Sequence, residues 1–344
     1  MSVYDLVIVG AGPAGLAASI AAKGHGLRHV VLEKGAIVNT ILHFPLQMVF
    51  FTTPELLEIG NLPFVTPYEK PTRAEALRYY RRVVDAFELP IEMGQTVSSV
   101  TRHGEHLVVA TTSAAGEQTW TTRTVIIATG ARYRKPSLAN VERFEGAGVY
   151  YSATFMEAQL CAGDEIIVVG GANSAGQAAV FLSRTASRIH LLVRSDNLSA
   201  SMSRYLVRRI EEIPTIQVRT QTEIVALEGD GHLESVQWRD HTGALTSHDI
   251  SHVFLMTGAE ANTGWLNGRV TLDRKGFIKT GPDLTQQDLA AAQWPLERAP
   301  YLLETSRPGV FAVGDVRCGN IKRVASAVGE GSIAISFVHR VLAE

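Results

Sequence analysis

Cysteine is nearly absent: Cys161 and Cys318 are the only two in 344 residues. That is too few for a disulfide framework and fits a reducing compartment. Long apolar runs are missing as well. The longest, such as Val125–Ala128 and Ile166–Val169, are far too short to span a bilayer and have the length of buried strands. Neither sign of charge dominates, since the formal net charge is −2, which speaks against a nucleic-acid partner or a polybasic membrane anchor. No basic n-region or cleavage site precedes the first strand, so no signal peptide is read and a cytoplasmic location is expected. His25, His29, His43, His103 and His106 show no metal-ligand spacing among themselves or with cysteine, and no Ser-His-Asp arrangement can be argued; no metal is expected. What the chain has in quantity is apolar residue, 46% hydrophobic against 19% charged. This is the composition of a globular protein with ample buried surface, and the length argues for two domains.

The chain is organised around Leu6–Val9, a run of β-formers that ends in Gly10-Ala11-Gly12-Pro13-Ala14-Gly15 and opens into the alanine-rich Leu16–Ala22. Strand, G-x-G-x-x-G turn and helix together form the dinucleotide-binding fingerprint. Gly10 permits the tight turn, Gly12 lets the backbone approach a pyrophosphate, and Gly15 lets helix and strand pack closely. The helix N-terminus faces the phosphates. Glu33, at the end of Val30–Leu32, is placed to accept from a ribose hydroxyl.

The same unit returns about 160 residues later. Ile166–Val169 leads into Gly170-Gly171-Ala172-Asn173-Ser174-Ala175-Gly176, and Ile189–Val193 ends in Arg194 near the position of Glu33. Further on, Thr215–Val218 answers Leu89–Glu92, and Val253–Ala259 answers Val125–Ala131. The expectation is an α/β protein of two Rossmann-like three-layer dinucleotide-binding domains, the second inserted in the first. Residues 1–118 and 262–344 form one domain, with 119–146 as closing strand and linker, and 147–261 form the other. The crossings are placed near 115–150 and 260–270. Short alternating segments such as Leu107–Thr112, flanked by Gly104 and Gly116, read as a small antiparallel sheet covering one face of each domain.

The halves differ most after Glu33. Ile37–Pro45, Phe50–Thr53 and Leu62–Phe64 make a long aromatic, proline-punctuated insertion, of a kind that is usually functional and less often a packed surface lid. It ends at a helix where Thr72 and Glu75 form a capping box and Leu77, Tyr80 and Val84 share a face. Near the C-terminus, Gly309–Asp315 returns to strand pattern and Ile321–Gly331 runs into a final helix.

These motifs resemble the flavoprotein disulfide reductases of the low-molecular-weight thioredoxin reductase type over nearly the whole chain. The signs are the opening fingerprint, A-T-G at Ala128–Gly130, G-G-x-N-S-A at Gly170–Ala175 and G-V-F-A-V-G-D-V at Gly309–Val316. A narrower similarity, carried by Ala36–Asn39, His43–Pro45, Phe50-Phe51, Leu57–Gly60, Lys70–Arg73 and Tyr79–Arg81, is to the bacillithiol disulfide reductase branch. The resemblance implies FAD in the first domain, NADPH in the second and a homodimer. It implies FAD contacts at Gly10, Gly12, Ala14, Gly15, Glu33, Gly314 and Asp315, the last on the flavin's ribitol. Lys322, Arg323 and Val324 come close to the isoalloxazine, and Pro13, Lys34, Asn39, Val97, Thr129 and Gly130 join that set. On the nicotinamide side it implies Gly170, Gly171, Asn173, Ser174, Ala175, Arg194, Ser195 and Gly258.

The departures bear on the reaction. Thioredoxin reductases carry C-x-x-C where this chain reads Ser152-Ala153-Thr154-Phe155, and the bacillithiol branch carries a cysteine where Ala14 stands. Arg194 matches one arginine of the H-R-R-x-x-x-R signature for the 2′-phosphate of NADPH, but Ser195 and Ser199 replace the others. A cation at this place favours NADPH over NADH, and Ser195 and Arg204 could compensate for the missing arginines. Absence of a nicotinamide stays open because Ala172 replaces the second motif glycine. Cys318, three residues past Asp315, could be a thiolate lowered in pKa by Arg317, Lys322 or Arg323, although a free loop cysteine is the plainer reading. For Cys161, ahead of a core strand, it is plainer still. The serines of Ser199–Ser203 suit a helix start. The expected function is an NADPH-dependent FAD oxidoreductase acting on a small disulfide, a quinone or a small redox protein without a dithiol. A nucleotide-responsive protein with structural FAD, or a flavin monooxygenase, are the alternatives.

Overall fold

The computed structural model describes residues 3–44, 50, 53–134, 136, 138, 140–151, 153 and 155–344. The described residues divide into two compact units, 3–44, 53–132 and 260–344 in the first, Phe50 and those from 133 to 259 in the second.

In the first unit the opening run forms β1 (Tyr4–Val9), followed by α1 (Pro13–Gly24) and β2 (His29–Glu33), parallel to β1 from Leu6↔His29 to Val9↔Leu32. The insertion contributes the short α2 (Asn39–Leu42). Pro45–Val49, Phe51 and Thr52 lie outside the described residues. α3 (Arg73–Ala86) starts with the expected capping box, Thr72 accepting from the Glu75 N–H and Glu75 accepting from Thr72. Its buried face is Ala76, Leu77, Tyr79, Tyr80 and Val83. Val83 rather than Val84 takes the inward place, because the spacing of Ala76, Tyr80 and Val83 follows the helical period. The Tyr80 hydroxyl donates to the Leu57 carbonyl (3.0 Å), and the Tyr79 hydroxyl accepts from the Ile59 N–H (2.8 Å) and donates to the Leu62 carbonyl (2.9 Å). The later part of the insertion is thereby fastened to α3.

β3 (Ile91–Met93) pairs parallel on the outer side of β2. β4 (Thr96–His103), β5 (His106–Ser113) and β6 (Gly116–Ile127) then form an antiparallel meander. The separate covering sheet expected here is instead continuous with the main sheet, because β6 is twelve residues long. Along Trp120–Arg123 buried and more exposed residues alternate beside the meander; the end of the strand, with the unbroken apolar Val125–Ile127, is buried throughout and lies in the parallel sheet beside β1. That change from alternation to continuous burial is what strands covered on one and then on both faces require.

β7 (Ala131–Tyr133) leads out of the first unit. The second unit follows with β8 (Val149–Tyr150), α4 (Phe155–Leu160), β9 (Glu165–Val169), α5 (Asn173–Leu182), β10 (Arg188–Val193), α6 (Arg204–Glu211) and β11 (Ile216–Thr220). After these come β12 (Glu223–Glu228), β13 (Ser235–Arg239), β14 (Leu245–His248) and β15 (Val253–Leu255). Strand order β11-β10-β9-β15 repeats the order β3-β2-β1-β6 of the first unit, so the echoes in sequence are echoes in topology. Here the covering sheet β12-β13-β14 is separate. Successive residues of β9 serve the two faces: Ile166 and Val168 pack with α5 and α6, whereas Ile167 packs with Leu227, Val236 and Trp238 of the covering sheet.

The chain returns through β16 (Ala259–Ala261), paired with β7, to α7 (Gln286–Ala291) and to β17 (Val310–Ala312), which lies parallel to β6. It ends in α8 (Val324–Ala343), packed along α1. No helix among the described residues is long and apolar enough to cross a membrane.

Candidate functional site

The fingerprint turn lies at the carboxyl end of β1, on the rim where open α/β sheets receive ligands. Gly10 has φ +109°, and a Cβ on it would lie 2.5 Å from the Ala128 carbonyl oxygen; one on Gly15 would lie 1.9 Å from the Gly10 oxygen. Both glycines are therefore demanded by the chain itself. Gly12 is different. Its backbone, φ −77° and ψ 176°, is open to any residue, and a Cβ there would meet nothing within 4 Å. Its bareness matters only to a group that the chain does not supply. α1 also has no side-chain cap and no acid in its first turn, so its leading N–H groups are unspent, as a bound pyrophosphate requires.

Glu33 is buried and braces this turn from two sides, Oε2 accepting from the Ala11 N–H and Oε1 from the Gly35 N–H, each at 2.8 Å. A carboxylate retains further lone pairs after two such bonds, so acceptance from a ribose hydroxyl stays possible. Lys34 follows, exposed. Asn39 begins α2, its side chain accepting from the Ala36 N–H at 3.3 Å, and Val97 is buried on β4.

The G-D segment comes to the same rim. A Cβ on Gly314 would lie 3.2 Å from the Ala14 methyl, and the Gly314 N–H donates to Glu330 Oε2 at 2.7 Å. Asp315, half-buried, makes no side-chain hydrogen bond among the described residues. Burial raises its pKa, while Lys322 draws it back down. An acceptor left without a donor at the end of β17 fits a polyol such as the ribitol chain. The Lys322 ammonium donates to the Asp315 carbonyl at 3.2 Å and stands 4.0 Å from the centre of the Phe277 ring, its pKa lowered by burial. Arg323 caps α8 and Val324 is its first residue. Thr129 and Gly130 (φ +67°) are held by Asn262, whose side chain donates to the Thr129 carbonyl at 2.8 Å and whose N–H donates to the Gly130 carbonyl at 3.0 Å. Glu330 and Asn262 thus support the rim, though neither belongs to a motif. Gly331, next to Glu330 in α8, meets the same rim, where a Cβ on it would lie 2.1 Å from the Ala14 carbonyl oxygen.

In the second unit Gly170 (φ +144°) is again required by the chain, since a Cβ would lie 2.7 Å from the Met256 carbonyl oxygen, whereas one on Gly171 would press at 3.0 Å only on the Val193 Cγ1 methyl. Ala172 caps α5 in the extended conformation that Gly12 adopts before α1, with its methyl exposed. Two serines outside the fingerprint fix this turn. Ser201 Oγ donates to the Gly171 carbonyl (2.8 Å), and the Ser203 N–H donates to the Asn173 side chain (2.7 Å). Ser174 is exposed, Ala175 is buried, and Gly258 (φ +87°) accepts from the Arg134 N–H at 3.0 Å. Arg194 follows β10 directly, exposed and making no hydrogen bond or ion pair among the described residues. The Ser195 hydroxyl is spent on the Asn197 carbonyl at 2.8 Å. Arg194 shares a cleft of about 280 Å³ with Gln221, Thr222, Glu223, Arg239 and Asp240. Arg204 opens α6 with Ser203 in the capping position, as the serine run suggested.

The cysteines correct one expectation. Cys318 is not a lowered-pKa thiolate. Burial pushes its thiol up, Asp273 and Asp283 push the same way, and only Lys279 opposes them. Arg317 is committed elsewhere, to Glu330 at 2.6 Å and to the Cys318 carbonyl at 2.9 Å. Cys161 is fully buried in the second unit, with its thiol raised to about 11 by burial. Ser152 and Thr154 lie outside the described residues; Ala153 packs against the second unit's core. Of the histidines, His29 is buried against Ser19 Oγ at 2.8 Å and His43 holds the Asn39 carbonyl at 2.8 Å. Sequence reasoning passed over His190, buried on β10 between Glu165 and Arg219, whose Nε donates to His190 Nδ1 at 2.9 Å.

Comparison with known proteins agrees with this architecture. The chain is 32% identical over 260 residues to bacilliredoxin reductase Bdr of Bacillus subtilis, covering 72% of this chain and 78% of that protein. It is 30% identical over 350 residues to thioredoxin reductase of Mycolicibacterium smegmatis, covering 100% and 98%. Among solved structures, thioredoxin reductase from Streptococcus pyogenes matches with TM-score 0.77 at 25% identity over 99% and 98% of the two chains. Bacillithiol disulfide reductase Bdr from Bacillus cereus matches with TM-score 0.60 at 26% identity over 98% and 100%. The family model described as pyridine nucleotide-disulphide oxidoreductase matches residues 7–289, and thioredoxin reductase-like members of that family use FAD and NADPH. With both fingerprints inside that span, the chain belongs to the pyridine nucleotide-disulphide oxidoreductase family.

Proposed function

We propose that this oxidoreductase uses FAD and NADPH and reduces its acceptor without a protein dithiol. FAD held by these residues would supply the redox chemistry between NADPH and an acceptor that is a small disulfide, a quinone or a small redox protein. The chain's own residues bind and orient. The bare Gly12 and the uncapped start of α1 receive the pyrophosphate, Glu33 accepts from a ribose hydroxyl, and Asp315 takes a ribitol hydroxyl as its missing donor. Lys322, half-buried over Phe277, would offer a cation to the flavin ring system where negative charge develops. Arg194 meets the 2′-phosphate of NADPH.

The observation that carries the acceptor half of this reading is the state of the two cysteines. Neither is in a disulfide, and burial pushes both thiols up, away from the thiolate that attacks in disulfide exchange. A direct route from flavin to acceptor needs neither. The test is anaerobic: the purified yellow protein is bleached with NADPH, and acceptors are added singly while the flavin band is followed. Recovery of the band with a quinone or small redox protein, and none with thioredoxin, supports the reading. A folded preparation that takes up no FAD would end it.

A further inference from the structure

The H-R-R-x-x-x-R signature uses several guanidinium groups on one phosphate, and here two of its places are Ser195 and Ser199, with the Ser195 hydroxyl already donated to Asn197. Arg194 would then face a dianion alone. The covering sheet brings a second guanidinium to the same cleft. The Gln221 N–H donates to the Ser195 carbonyl (3.0 Å) and the Thr222 N–H to the Val193 carbonyl (3.1 Å), so the turn that starts β12 is pinned against both neighbours of Arg194. Glu223 is the first residue of β12, and antiparallel register sets it directly opposite Arg239, the last residue of β13. The two are ion-paired, and both line the cleft with Arg194. Asp240 also lines it, but its Oδ1 accepts from Thr242 N–H and hydroxyl and from the Ala244 N–H, which turns that charge into its own loop.

We propose that Arg239 is a second ligand for the 2′-phosphate, and that Glu223 is its resident counter-ion, which the phosphate must displace. Arg239 supplies from the covering sheet the guanidinium that the signature lacks. Glu223 makes the site less selective than a set of unpaired arginines would be, because a carboxylate at that place repels phosphate and can accept from an unphosphorylated ribose. The proposal rests on Arg194 marking a nicotinamide-nucleotide site. It concerns equilibrium binding only, and no bond is made or broken.

The test measures affinity of the purified, flavin-loaded protein for adenosine 2′,5′-bisphosphate and for adenosine 5′-monophosphate by calorimetry, in wild type, Arg239→Met, Glu223→Gln and Arg194→Ala. The Glu223 and Arg239 side chains are about half exposed (46% and 51%), so neither change threatens the fold. The preference for the 2′-phosphorylated probe should fall roughly tenfold in Arg239→Met, the worth of one charge-assisted hydrogen bond. It should rise a few-fold in Glu223→Gln, since a half-exposed pair is weak. A preference that collapses in Arg194→Ala and is unmoved in Arg239→Met overturns the role of Arg239 while leaving the nucleotide site standing. Failure of wild type to bind either probe, together with no flavin bleaching by NADPH, overturns the proposal and the function on which it rests.

Discussion

Two glycines in α8, Gly329 and Gly331, lie two residues apart and so on opposite sides of the helix, and should respond to the same substitution with opposite sign. A Cβ on Gly331 would lie 2.1 Å from the Ala14 carbonyl oxygen and 3.0 Å from its carbon, both backbone atoms that no rotamer change can move. Gly331→Ala therefore forces α1 and α8 apart by about 1 Å or more before ordinary van der Waals separation is restored. Overpacking of this kind costs about 3 kcal/mol at the upper end, and alanine's better helix propensity returns about 1, leaving a net loss of roughly 2 kcal/mol. The melting temperature should drop by about 4–8 °C for a domain of this size class. Because Ala14 stands in the first turn of α1, FAD should also be released more easily. A Cβ on Gly329 meets nothing within 4 Å, so Gly329→Ala keeps the propensity gain of up to about 1 kcal/mol and should raise the melting temperature by a few degrees. Far-UV circular dichroism gives the unfolding temperatures, and flavin fluorescence gives the release. If the two variants shift in the same direction, or if Gly331→Ala melts with wild type, the close approach of the two helices does not set the stability of this unit.

Three further outcomes are expected. The Cys161→Ser, Cys318→Ser double variant should retain turnover from NADPH to acceptor, since serine neither forms a mixed disulfide nor accepts electrons; loss of turnover in Cys318→Ser alone, with flavin reduction by NADPH intact, would make Cys318 the substrate-facing thiol. Arg298→Met should destabilise the first unit by about 3 kcal/mol in urea titration, because Arg298 pairs at 2.7 Å with the fully buried Glu304 and its loss leaves that carboxylate with the Tyr301 and Gly309 N–H groups but no cation. A variant with both Arg298→Met and Glu304→Gln should recover part of that loss. Burial holds His190 and His29 below the ordinary histidine value of 6.5, with Arg219 adding to the effect at His190. The unfolded chain then binds protons that the native one refuses, so this stability is complete above about pH 6.5 and is lost as pH falls from there through the lower native value. Melting temperatures taken from about pH 7.5 to 5.5 should show it, with a shallower slope in His190→Gln, and a flat profile would refute it.

What could be read from the chain was what is written locally. Val7–Gly15 and Ile167–Gly176 each carry strand, turn and helix start in one short stretch, so their periodicity and glycines predict both βα units, and the later echoes predict that the two domains share one architecture. The capping box at Thr72 was equally legible, because donor and acceptor lie three residues apart. The fate of the covering strands was less so. Whether the meander is a separate sheet or an extension of the main one depends on the length of β6, and nothing in its alternating half announces that its apolar half continues unbroken into the parallel sheet.

Side-chain roles decided across long separations were not legible at all. Gly314 is tied to Glu330 and Thr129 to Asn262 by tertiary packing alone. Cys318 shows why such a site resists prediction. Read along the chain, its neighbours Arg317, Lys322 and Arg323 all argue for a stabilised thiolate, since near neighbours are the only charges that a sequence offers. In the folded chain Arg317 turns away to Glu330, and the Cys318 N–H bonds to the Ile278 carbonyl, which lays the cysteine beside the segment that carries Asp273 and Asp283. Burial and these two carboxylates outweigh the single opposing lysine, Lys279. The sign of a pKa shift follows the charges nearest in space, and for Cys318 those come from residues 273–283.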